Sequence, residues 1–198
     1  MPTFTVLIGW LAGVLTFAAY VPYFISMVRG KTKPNRATWW ILLIVGVMLA
    51  GGYYSLGAKD TIWVPIGYVV GPLVIAIFSL WFGEGGWSRF DRSCLMGAAV
   101  AGVLWWLFNA PLTALIINLV MDWLGLMPTV RKAYHRPHTE DRLSWMCWFA
   151  GSFVNLFAVG HWTAELAVYP IYMVVGNGII ATLVCWPRKQ STVQSRPS

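Results

Sequence analysis

The sequence predicts an all-α membrane protein of seven transmembrane helices in a 3 + 1 + 3 plan, two parallel triple-helix-bundle repeats joined by a linker helix. Three observations carry this expectation. Of 198 residues, 58% are hydrophobic and 11% charged, against about 25% charge in a soluble domain, and mean hydropathy is +0.64. The basic residues segregate to one side of the expected spans, and the two ends of the chain superpose on each other at a fixed offset. At roughly 20 apolar residues per span, seven spans occupy nearly the whole length and leave no room for a soluble domain.

Uncharged apolar runs lie at about 4–28, 38–58, 62–82, 94–108, 110–130, 144–160 and 166–186. The first is too long for the core of a signal peptide, lacks a basic leader and enters a basic loop without a small-residue cleavage site. The third carries Pro65 and Pro72, and the seventh carries Pro170 and a Gly176-Asn177-Gly178 break, interruptions that membrane helices tolerate better than soluble ones. The expected organisation is a first repeat at 1–83, a linker helix at 84–109, a second repeat at 110–187 and a basic tail at 188–198.

The net charge of +7 is read by position, because loop Lys and Arg set membrane orientation. Arg29, Lys31, Lys33, Arg36, Arg89, Arg92, Arg131, Lys132, Arg136, Arg142, Arg188, Lys189 and Arg196 fall on one face of a seven-span protein, and only Lys59 on the other. The split predicts an outside N-terminus, a cytoplasmic C-terminus and contact of the basic loops with anionic lipid heads, not nucleic-acid binding. Cys94, Cys147 and Cys185 form no close-spaced pair, so neither a disulfide framework nor a zinc motif is expected.

At an offset of 106 residues, Pro22 falls on Pro128, Arg36 on Arg142, Trp39 on Trp145 and Thr38 on Ser144. A one-residue slip then places Val69-Val70-Gly71-Pro72 on Val174-Val175-Gly176-Asn177. Three helices plus a linker is an even number, so the two repeats point the same way across the bilayer.

The stretch Tyr20-Val21-Pro22-Tyr23 through Arg29-Gly30-Lys31-Thr32-Lys33-Pro34, with its partner Met127-Pro128-Thr129-Val130-Arg131-Lys132 through Pro137-His138-Thr139-Glu140, resembles the PQ-loop repeat. There a proline near the cytoplasmic end of the first helix is followed by a basic loop and the next helix. The chain is similar over about 4–186 to the SWEET and PQ-loop transporter superfamily, in particular to its small bacterial members. The Gln of the Pro-Gln pair is replaced by Tyr23 in one half and Thr129 in the other. The resemblance implies a transporter of the bacterial inner membrane moving a small solute. It also implies that an asparagine in the third helix of each repeat lines the central pocket. Asn177 fits that position in the second repeat, and Pro72 replaces it in the first.

Polar groups inside apolar runs are functional candidates. Asp122 is the one formal charge within such a run, and Asn118, four residues earlier, shares its helix face. Asp122 reads either as a ligand-binding or proton-carrying carboxylate, or as a structural partner for backbone freed near Gly125 and Pro128. Ser152 and Asn155 share a face of the sixth run, where polar side chains also join helices. Trp39 and Trp145 begin the second and sixth runs as repeat mates, which suits a gate, a packing role or ligand stacking. Pro22 and Pro128 are the expected hinges, since each removes a helix hydrogen bond.

Other chemistries find no support. The last run lacks the lysine of a retinal Schiff base. His135, His138 and His161 are expected in loops without a zinc-binding helix pattern. No enzyme activity, metal or cofactor is expected. The function expected is alternating access by a small-molecule solute at a midplane site between the repeats. The alternative is a non-transporting receptor or binder of a lipid or hydrophobic ligand on the same fold. The sequence is compatible with a homo-oligomer.

Overall fold

The computed structural model describes residues 2–55, 63–107, 111–159, 162 and 164–186. Among them the regular elements are helices: α1 (Pro2–Ala18), α2 (Tyr20–Val28), α3 (Arg36–Ser55), α4 (Trp63–Phe82), α5 (Arg89–Leu107), α6 (Pro111–His135), a 3-10 turn (Pro137–Thr139), α7 (Arg142–Leu156) and α8 (Ala164–Cys185). Lys59, His161 and the basic tail with Arg188, Lys189 and Arg196 lie outside the described residues. Three stretches, Phe4–Val28, Thr113–His135 and Ala167–Cys185, are long and apolar enough to cross a membrane. Arg36–Gly51 and Tyr68–Phe82 are shorter apolar helices.

The seven expected helical segments are present, with three local differences. The first is divided at Ala19, three residues before Pro22, whose missing N–H leaves the Ala18 carbonyl without its helical donor and whose ring crowds that carbonyl. Pro128, which falls on Pro22 at the 106-residue offset of the sequence, lies within an unbroken α6, so the two prolines are unequal in helix continuity. The fifth segment runs on to His135, taking Arg131, Lys132 and His135 into the helix instead of a loop. It ends where Pro137 forces Arg136 out of the helical backbone, φ −137° and ψ 62°. The fourth begins at Arg89 because Ser88 and Asp91 cap it reciprocally. The Asp91 N–H donates to Ser88 Oγ at 3.1 Å, and Asp91 Oδ2 accepts from the N–H of Ser88 at 3.1 Å and of Gly86 at 3.0 Å.

Two further caps lie 106 residues apart in sequence. Asn35 Oδ1 accepts the Thr38 N–H at the start of α3, and Asp141 Oδ1 accepts the Ser144 N–H at the start of α7. Packing pairs α3 with α4 and α7 with α8, sets α2 on α4 and α6 on α8, and crosses over by α1 on α7 and α3 on α6. α5 rests on α6 and α3. The core holds Tyr23, Met27, Trp39, Trp145, Trp148 and Ile180, with a second cluster at Ile41, Val45, Cys94 and Met121 on the α5 side. The outer surface is apolar. Leu7, Trp10, Val14, Trp81, Val100 and Trp106 are all exposed, the reverse of what a soluble surface favours.

Candidate functional site

A chamber of about 90 Å³ lies between the two halves of the chain. The first half lines it with Thr16, Tyr20, Trp39, Tyr68 and Pro72, and the second with Asn118, Asp122, Trp145, Trp148, Tyr169 and Asn177. Asp122 stands half-way along α6 and accepts a hydrogen bond from the Tyr172 hydroxyl of α8 at 2.5 Å. Asn118, one turn earlier on the same face, is buried, and its Oδ1 has no hydrogen-bond partner among the described residues. A buried unpartnered acceptor costs roughly 1–3 kcal/mol, so this oxygen marks a place where a donor belongs.

Several of the neighbouring polar groups are committed to each other. Asn177 Nδ2 donates to Ser152 Oγ at 2.7 Å, and that hydroxyl donates to the Trp148 carbonyl at 2.8 Å. Trp148 Nε1 donates to the Thr16 carbonyl at 3.0 Å. Thr16 turns its own hydroxyl back to the Ala12 carbonyl at 2.8 Å. This chain ties α8 to α7 and α7 to α1.

One end of the chamber is closed by aromatic rings. Trp145 and Trp148 meet edge to face at 4.9 Å between centroids, Tyr20 and Trp148 at 5.1 Å, and Tyr23 lies tilted against Trp39 at 5.0 Å. Beneath them sits Glu140. Its Oε2 accepts from Trp145 Nε1 at 2.8 Å and from the Tyr23 hydroxyl at 3.2 Å, while Tyr23 accepts from Trp39 Nε1 at 3.3 Å. Glu140 Oε1 pairs with the Lys132 ammonium, which also donates to the Lys33 carbonyl. The Lys132 and Glu140 side chains are 3% and 0% exposed. Half-buried Asp122 is therefore not the only charge drawn into the bundle: Lys132, Glu140 and Asp91 are buried.

The chamber continues into a groove of about 830 Å³ through Thr16, Tyr20, Tyr68, Tyr169 and Met173, which line both spaces. The groove runs along α1 against α7 and α8, and it is there, not in the chamber, that Asn155 lies. Of the candidates read from the sequence, Asn118, Asp122, Asn177, Trp39 and Trp145 converge on the chamber, whereas Pro22 and Pro128 line neither space. Lys132, Glu140 and Tyr23 are the residues that the sequence reading missed. The available signal was an acidic pair, Glu140-Asp141, within a basic stretch. No family model, curated protein or solved structure matches the chain.

Proposed function

We propose that this protein is a membrane transporter that carries a small solute by alternating access, with the solute held in the chamber between the two halves. The observation that carries the reading is the chamber itself. It is shared by both halves, shut at one end by rings and a buried ion pair, continuous with a groove at its side, and presents an unpartnered acceptor beside a carboxylate.

The 3 + 1 + 3 repeat is part of the proposal. It is supported by the paired caps at Asn35 and Asp141, by the reciprocal crossings of α1 on α7 and α6 on α3, and by matching close approaches. Gly71 admits the ring of Tyr20, and Gly176 admits Leu126, where Tyr20 and Leu126 are mates at the 106-residue offset. The charge division supports seven spans with the N-terminus outside, so that the ring-closed end faces the cytoplasm, as expected of a bacterial inner-membrane protein. Membrane lipids meet the basic loops.

The wide apolar groove favours a second reading, a binder of a hydrophobic ligand that does not transport. One experiment separates the two. In a variant with Cys94, Cys147 and Cys185 replaced by Ala, a single Leu49→Cys in the chamber wall is exposed to a membrane-impermeant methanethiosulfonate from each side of oriented vesicles. A transporter exposes this thiol to both sides in turn, and a fixed binder to one. Reaction from one side alone would overturn the transport proposal.

A further inference from the structure

We infer that the chamber takes a primary ammonium on an apolar body, rather than a sugar or an amino-acid zwitterion. This rests on the reading of the chamber as the solute site. Asn118 Oδ1 has no partner, and Asp122, among the described residues, accepts from Tyr172 alone. Both groups are acceptors and share one face of α6. Four residues apart, they are separated by a helical rise of about 6 Å, which lets one nitrogen placed between their side chains be shared by both. An ammonium brings three donors to such a place.

Charge points the same way. Among the described residues no lysine, arginine or histidine lines the chamber, and Lys132 beneath it is spent on Glu140 and the Lys33 carbonyl. A carboxylate in an apolar bundle without a counter-ion is costly, and a cationic ligand would supply the missing charge. A ligand carboxylate would find no cation of its own.

The aromatic groups complete the argument. The indole N–H groups of Trp39, Trp145 and Trp148 are committed to Tyr23, Glu140 and the Thr16 carbonyl, and the hydroxyls of Tyr172 and Ser152 to Asp122 and the Trp148 carbonyl. The three indoles therefore offer the chamber ring faces instead of donors. Ring faces attract cations and give the oxygens of a sugar little to bind. The apolar body continues into the groove, which shares five lining residues with the chamber.

The test is calorimetric titration of the purified full chain in detergent with hexylammonium, hexyltrimethylammonium, 1-hexanol, hexanoate and norleucine. Hexylammonium should bind at least about tenfold more tightly than any of the others. The trimethyl compound keeps the charge but cannot donate to Asn118, the alcohol donates without charge, and norleucine adds a carboxylate. Asp122→Asn should erase the preference for hexylammonium over 1-hexanol in protein that remains monodisperse. Should that variant not fold, the ligand series on the unaltered chain decides alone. Equal affinity for any of the other four, or no binding of hexylammonium, would overturn the inference. The thiol-labelling outcome is independent of these titrations. One-sided labelling with the ammonium preference intact removes transport and keeps the ligand class, and two-sided labelling without the preference does the reverse.

Discussion

Lys132 and Glu140 form a charge pair that gains its surroundings only from the folded chain. Glu140 draws Tyr23 across 117 positions, and Lys132 reaches the Lys33 carbonyl across 99. Nothing local distinguishes Lys132 from the other basic residues around it, which explains why it reads from sequence as an orientation charge. Asp122 and Asn118 were legible for the opposite reason: each interrupts an apolar run, and their spacing alone puts them on one face. Removing one partner of a buried pair leaves an uncompensated charge, so Lys132→Met is expected to cost about 3–5 kcal/mol. The double variant Lys132→Met/Glu140→Leu should recover part of that loss, as read by thermal denaturation in detergent. A double variant less stable than Lys132→Met would contradict the pairing. At Asp122 the contrast is between two substitutions. Asn can still accept from the Tyr172 hydroxyl, so folded yield should survive Asp122→Asn. Asp122→Leu strands that hydroxyl and should cost roughly 1–3 kcal/mol. If both variants give equal melting temperatures, the Tyr172 bond contributes nothing to stability.

At the scale of elements, apolar run length located all seven helical segments, but their ends depended on chemistry that run length ignores. The start of α5 is set by the Ser88-to-Asp91 cap, a pattern present in the sequence yet overshadowed by the apolar run behind it. The end of α6 waits for Pro137, so the helix carries basic residues past the apolar stretch. The unequal behaviour of Pro22 and Pro128 reflects what surrounds them. Pro128 is buried within α6, which packs on α3, α5 and α8, whereas α1 packs mainly on α7 and is free to part from α2 at Ala19. Close approach at glycines yields the sharper prediction. A Cβ at Gly71 would collide with three ring atoms of Tyr20, while at Gly176 it would meet only Leu126 Cδ1 at 3.2 Å. Overpacking of a fitted contact costs typically about 1–3 kcal/mol, and a rigid ring yields less readily than a leucine methyl. Gly71→Ala should therefore lower the melting temperature more than Gly176→Ala. Restoration of Gly71→Ala by a second change, Tyr20→Leu, would locate the strain at that contact.

For the whole molecule, the proposed cycle requires the ring-closed end of the chamber to open as the two halves move apart there. The contacts that would have to separate are specific. The Thr129 hydroxyl of α6 donates to the Thr38 hydroxyl of α3 at 2.9 Å, joining the halves beside Trp39, and Tyr23 of α2 reaches Glu140 ahead of α7. Replacing Thr38 and Thr129 by cysteines, with Cys94, Cys147 and Cys185 removed, puts two thiols where these hydroxyls touch, within the range from which a disulfide closes. Oxidation should hold this end shut. The Leu49→Cys thiol in the same chain would then react from the groove side at its former rate and no longer from the other, and reduction should restore reaction from both. The oxidised protein should also remain folded and monodisperse, because the bridge restrains a contact already made. If the chamber thiol stays open to both sides after complete oxidation, the path through the bundle does not pass between α3 and α6. The rings and the Lys132–Glu140 pair would then be packing, not a gate.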